Sequence, residues 1–187
     1  MIVNTVISLV DVCMSEEIKK LQHQVDAIAQ SIAPVKVVLV LRSDDFRRIK
    51  WSAMELLARR EHSVKELKAK LIKRYPEGFA DIQQCLIDLQ SASLQSDARF
   101  CEAYVSMRSK KGFGPLRISE ELRNRGVADA LLYKEIFDGR YDWFEVATTI
   151  WQKKFKGIQA RDLKEKAKQI RFLHYRGFGY DYIGHLV

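Results

Sequence analysis

Apolar residues recur at three- and four-residue intervals along most of this chain, the spacing of one buried helix face. From Ser15 to Ile32 they fall at Ile18, Leu21, Val25, Ile28 and Ile32. That narrow stripe predicts an amphipathic helix, able to dock on the body or pair with another helix, which ends at Pro34. Val35–Leu41 is a β-branched run broken by one lysine and reads as a strand, with no partner strand in the sequence. From residue 44 every segment reads as helix. Asp44 or Asp45 caps the first, whose face is Trp51, Met54, Leu57 and Ala58. Ser63 with Glu66 forms a capping box before a helix that buries Leu67 and Leu71 and stops near Pro76. Phe79, Ile82, Cys85, Leu86 and Leu89 mark a third helix. Asp97 opens the next, with Phe100, Tyr104 and Met107 on its stripe. Ile118 and Leu122 follow, stopped by Gly126, and then Val127, Leu131, Leu132 and Ile136, stopped by Gly139. Asp142 with Glu145 precedes Trp143, Val146, Ile150 and Trp151, a helix that ends near Gly157. Asp162–Tyr175 buries Leu163, Ala167, Ile170 and Leu173, and a short helix closes the chain at Val187.

One phrase punctuates this pattern three times, at 60–67, 111–118 and 176–183. In each copy a base (Arg60, Lys111, Arg176) ends one apolar-periodic segment. A small residue (Ser63, Gly114, Gly179) breaks it, and an aliphatic residue four positions on (Leu67, Ile118, Ile183) starts the next. Ser and Gly suit an N-cap, and Pro115 stands where a first helical residue belongs. The phrase is a helix–turn–helix corner, and its recurrence predicts a repeat architecture. The expected units are 46–96, 97–140 and 141–187, behind an extension at 1–45 that is expected to be poorly ordered or an upstream reading of the start codon. If Gly114 is only a cap, alanine there costs less than about 2 kcal/mol.

Charge sharpens the picture. The 187 residues carry a net charge of +8, unevenly placed. Residues 1–45 hold four bases and six acids, whereas Lys153 to Arg176 holds nine bases against two acids, Asp162 and Glu165. A basic balance favours polyanions or an acidic protein surface, although lysine and arginine also serve simply to keep helices soluble. The three cysteines have no metal-ligand spacing, and Cys85 falls on an apolar helical face, where a reduced buried thiol fits a cytoplasmic protein. No run of 18 apolar residues spans a membrane, and the first residues lack the basic start of a signal peptide.

No enzyme signature emerges. Gly112-Phe-Gly114 and Gly177-Phe-Gly179 lack the preceding strand of a phosphate cradle. His23, His62, His174 and His185 have no metal-ligand spacing, and His62 occupies the position of Phe113 and Phe178 in the other corners, as a packing plug would. Glu120 and Glu121 are adjacent, so they point to different helix faces and read as solvated surface. Trp51, Trp143 and Trp151 read as core. What remains is a basic surface at corners and helix ends: Arg59, Arg60, Lys110, Lys111, Arg117, Arg123, Arg125, Lys153, Lys154, Lys156, Arg171 and Arg176. Arg123 and Arg125 also answer the helix dipole ahead of Gly126.

Over about residues 46–187 the chain resembles the RecX family of regulators of the RecA recombinase. The residues that carry this are Asp97-Ala-Arg-Phe100, Tyr104-Val105, Arg108, Gly112-Phe-Gly114-Pro115, Arg117-Ile118, Glu121-Leu122-Arg123 and Gly126-Val127. Leu57, Arg59, His62-Ser63, Glu66-Leu67 and Leu71 carry it in the first unit, and Leu173 and Arg176-Gly177-Phe178 in the third. The resemblance implies an all-α fold of tandem three-helix repeats stacked into an elongated, curved molecule, without catalytic activity or cofactor. It implies binding to the RecA–DNA filament and suppression of RecA ATP hydrolysis and strand exchange. The expected partner surface is Arg59, Arg60, Lys110, Lys111, Arg117, Lys153, Lys154, Lys156, Arg171 and Arg176, on a monomer that meets RecA and, through phosphate contacts, DNA. The alternative is a direct nucleic-acid binder that uses the same basic face, or 114–125 as a recognition helix, whose outward face, with Glu120 and Glu121 beside Asn124, is too acidic for groove reading.

Overall fold

The computed structural model of the chain describes residues 44–187. The helix expected at 15–32 and the strand expected at 35–41 lie outside them. Among the described residues there are nine helices and no strand. They are α1 (Asp44–Arg59), α2 (Val64–Arg74), α3 (Phe79–Ser91), α4 (Asp97–Lys110), α5 (Pro115–Asn124), α6 (Asp129–Phe137), α7 (Trp143–Phe155), α8 (Leu163–Arg176) and α9 (Tyr180–Ile183).

The helix starts are those the corner phrase predicts. Ser63, Gly114 and Gly179 are the N-caps of α2, α5 and α9, all with extended backbone. Ser63 Oγ accepts from Glu66 N at 3.1 Å, Asp142 Oδ1 from Glu145 N at 3.0 Å and Asp162 Oδ1 from Glu165 N at 2.7 Å. Each bond satisfies an amide that the helix itself leaves open. Helix α4 begins at Asp97, as expected, and is capped by Ser96, while the Asp97 carboxylate accepts from Val64 N at 2.9 Å.

The helices enclose two cores. Helices α1–α3 bury Phe46, Ile49, Leu67, Leu71, Ile82 and Leu89. Helices α4–α9 share the other, around Phe100, Ile118, Leu122, Trp143, Leu173 and Phe178. Cys85 and Cys101 are both buried.

Several predicted faces are displaced. Helix α1 carries two apolar lines, and the one packed on its neighbours is Phe46, Ile49 and Ala53, with Ser52 bonded to the Tyr75 hydroxyl at 2.7 Å. Trp51 is therefore 73% exposed rather than core, and Met54 and Ala58 also face outward. Phe79, at the first position of α3, is exposed beneath the Lys68 ammonium. On α4, Cys101 and Val105 join Phe100 inside while Met107 is exposed. Residues 163–168 of α8 are all exposed, including Leu163 and Ala167, because only the second half of that helix meets the body. There Gln169 is buried, accepting from Trp151 Nε1 at 2.8 Å and donating to Ile158 O at 3.0 Å.

Candidate partner interface

The corners are built into one another through α5. At its start, Gly114 N donates to Arg176 O at 2.8 Å and Leu116 N to Gly177 O at 3.1 Å. Arg176 Nη1 reaches Lys111 O at 3.1 Å, and Arg117 Nη1 reaches Tyr175 O at 3.0 Å. Gly177 has φ +93° and lies against Arg117, so both its conformation and its contact require glycine. Gly114 has ordinary φ, yet a Cβ there would stand 2.5 Å from Gly177 O. Gly114 is therefore more than a cap, and the condition under which alanine would cost less than about 2 kcal/mol is not met. At the other end of α5, Ser63 Oγ donates to Arg125 O at 2.7 Å and Lys65 Nζ to Asn124 O at 3.1 Å. Gln95 Nε2 donates to His62 O at 3.1 Å.

His62 is buried, as a packing residue would be. Its Nδ1 lies 3.0 Å from Arg60 O and its Nε2 lies 2.9 Å from Lys70 Nζ. A carbonyl only accepts and an ammonium only donates, so the ring is neutral with its proton on Nδ1. Burial pulls its pKa below the ordinary histidine value, with the Arg60 and Lys70 charges adding to the effect.

Glu121, expected on a solvated face, is a hub instead. It accepts from Tyr104 Oη at 2.8 Å, from Arg117 Nε at 3.1 Å and from Arg108 Nη2. Burial opposes its ionisation, but the bonds from Tyr104, Arg108 and Arg117 outweigh it and hold the carboxyl below its usual pKa. Burial, together with the Glu121 bond, pushes the Tyr104 phenol up to about 12. Beside this hub the Phe113 ring meets three guanidiniums, those of Arg108, Arg117 and Arg176, at 3.6, 4.8 and 4.9 Å. Glu66 joins Arg60 and Arg125, each at 3.0 Å. Arg108 and Glu121 are 13 residues apart, and no local spacing announces their pairing.

The ten basic residues singled out in the sequence therefore separate into two groups. Arg60, Arg117 and Arg176 bind partners within the chain, and Arg59 pairs with Glu55 at 2.6 Å on exposed surface. Among the described residues Lys110, Lys111, Lys153, Lys154, Lys156 and Arg171 form no ion pair, and all six are exposed. Three of them converge. Lys110, Lys111 and Lys153 line one cleft of about 280 Å³ between the end of α4 and α7, with Val146 and Ile150 on its floor and Glu145 at its edge. Gly112, at φ +74°, brings the two helices this close, since a Cβ there would meet Ile150 at 2.9 Å. Lys154, Lys156 and Arg171 lie outside this cleft. Among the described residues no group of His, Cys, Asp and Glu is placed to hold a metal ion, and no helix is long and apolar enough to cross a membrane.

Two family models match this arrangement, the second three-helix domain of RecX over residues 96–132 and the third over 141–187. The regulatory protein RecX of Ectopseudomonas mendocina is 43% identical over 141 residues, covering 74% of this chain and 92% of that protein. That of Vibrio parahaemolyticus is 40% identical over 137 residues, covering 73% and 87%. The crystal structure of RecX from Lactobacillus salivarius is similar in fold, with a TM-score of 0.63 at 22% identity over 76% of this chain and 94% of that one. With its paired corners, its all-α repeat fold and these relatives, the chain belongs to the RecX family of regulatory proteins.

Proposed function

We propose that this protein is a non-enzymatic regulator that binds the RecA–DNA filament and slows RecA ATP hydrolysis and strand exchange. The relatives, named as regulatory proteins, support the general role. The observation that carries the contact is the division of the basic residues. Arg60, Arg117 and Arg176 are bonded within the chain, while Lys110, Lys111 and Lys153 line one cleft with a single carboxylate, Glu145, and form no ion pair among the described residues. Such lysines have their full charge available for carboxylates or phosphates of a partner. In this reading the units are 46–96, 97–140 and 141–187, the protein acts as a monomer, and Lys154, Lys156 and Arg171 extend the same surface. A second reading, direct nucleic-acid binding, uses these lysines on phosphates. It gains nothing from α5 as a reading helix, because Arg117, Glu121 and Arg125 are spent on partners inside the chain.

The test is RecA ATP hydrolysis on single-stranded DNA with increasing amounts of this protein. Slowing at or below one protein per RecA is expected. Unchanged hydrolysis, with binding to bare DNA intact, would favour the second reading.

A further inference from the structure

The outer face of α8 carries a straight row of charge that ends in an aromatic ring. Lys164, Lys168, Arg171 and Tyr175 follow one another at intervals of four, three and four residues. At about 100° per residue they fall within about 60° of arc and span about 17 Å. All four are exposed, while Gln169 and Leu173 bury the other side of the helix. Among the described residues the three bases form no ion pair.

This charge does not stabilise the helix that bears it. The acids of the segment are turned to its first amides: Asp162 Oδ1 accepts from Glu165 N at 2.7 Å, and Glu165 Oε2 accepts from Arg161 N at 3.0 Å. Neither acid lies on the row. Lys164 and Lys166 stand in the first turn, at the positive end of the helix dipole, where a base is unfavourable. An anion from outside the chain matches the row and relieves that repulsion.

Tyr175 selects the anion. Its ring is 70% exposed, with the Arg117 guanidinium 4.9 Å from its centroid. The bond from Arg117 Nη1 to Tyr175 O fixes the backbone beneath the ring. The ring also lines an open cleft of about 510 Å³ with Leu116, Glu120, Asn124 and His174. Glu121, which lines it too, is already matched by Arg108 and Arg117. Glu120 and Asn124 are side chains able to bond the edge of a base. An acidic protein surface answers the three cations but has no use for an open ring in line with them. A single strand of nucleic acid offers phosphates in a row and unpaired bases to stack. We infer that the outer face of α8 binds single-stranded nucleic acid, with Lys164, Lys168 and Arg171 on phosphates and a base stacked on Tyr175. This face is distinct from the lysine cleft, and its binding is independent of the proposed action on RecA.

The test is binding of a fluorescein-labelled, mixed-sequence DNA single strand to the full chain without RecA, across a range of salt. Thermal melts establish that each variant folds. Lys164→Ala/Lys168→Ala/Arg171→Ala should weaken binding at least about tenfold and reduce the slope of log affinity against log salt by about 2, since each phosphate contact on a single strand contributes about 0.7. Tyr175→Ala should weaken binding about tenfold at unchanged slope, because stacking releases no counterions. Lys73→Ala/Arg74→Ala/Lys134→Ala removes the same charge from exposed positions elsewhere and should change affinity by about twofold or less. The strand annealed to its complement should bind more weakly than the single strand. Equal losses in the two triple variants would reduce the effect to net charge and overturn the site. Wild-type affinity in Tyr175→Ala, or a duplex bound as tightly as the single strand, would overturn base stacking and leave an acidic protein surface as the occupant. Wild-type protein that fails to bind the strand overturns the inference and leaves the proposed function standing.

Discussion

The carbonyl oxygen of Gly177 lies 2.5 Å from the place where a Cβ on Gly114 would stand. The third corner is thus pressed against the second through bare backbone. Gly179 occupies the same position as Gly114 in its own corner, yet the nearest atom to its virtual Cβ is 3.8 Å away. Gly179→Ala should cost about 1 kcal/mol or less, the loss of a glycine cap. Gly114→Ala adds forced separation of two packed segments and should cost about 2–3 kcal/mol more. Urea melts of the two variants measure the difference, and equal midpoints would contradict it.

Glu121 ties Tyr104, Arg108 and Arg117 together from a half-buried position. Glu121→Ala should destabilise by about 1–3 kcal/mol, because the donors around it lose their acceptor. Its folded pKa is depressed, so its contribution is fully present above the unfolded carboxyl value and is lost as pH falls through the lower folded value. The wild type should therefore lose stability steeply below about pH 4.5, and Glu121→Gln should flatten that limb. Denaturant melts across the acid range read the slope.

For His62 the sign comes from the opposite charge change. Its folded pKa is lowered, so between that value and about 6.5 the unfolded chain binds more protons. Stability should decline as pH falls through this window and level off below the folded pKa. His62→Asn should remove that decline while leaving the Glu121 limb in place. An unchanged profile in His62→Asn would mean that another group titrates there.

Much of the fold was legible because its determinants are local. The stripes at Leu67 and Leu71, and at Ile118 and Leu122, and the caps at Ser63, Asp142 and Asp162, depend only on neighbours within one or two turns. The failures come from what stands opposite. Trp51 and Ile49 both belong to apolar lines on α1, and only the positions of α2 and α3 decide which line is covered. Leu163 sits on a correct helical period in a half-helix that nothing covers. The candidate surface was legible as composition but not as use. Arg176 and Lys153 look alike in sequence, yet Arg176 stacks on Phe113 and bonds to Lys111 O while Lys153 faces a cleft. Those partners lie 63 and 65 residues away from Arg176, beyond any spacing rule.

Reversing Lys153, Lys154 and Lys156 to Glu tests that surface. All three are exposed, so each change should move stability by about 0.5 kcal/mol or less. Inhibition of RecA should weaken strongly, and the wild-type effect should fade as salt rises from about 0.05 to 0.2 M. Reversal of Lys19 and Lys20 should do little. A folded triple variant that inhibits at wild-type concentrations would place the contact elsewhere.

Helix α5 touches the third corner with its first residues and the first corner with its last. Its ten residues therefore work as a ruler, holding the two flanking corners about 15 Å apart. They also fix the angle between them, because each residue added or removed turns one end by about 100° relative to the other. Length and orientation cannot be adjusted separately in such a device. Any surface that spans both corners inherits its pitch from the residue count of this one helix.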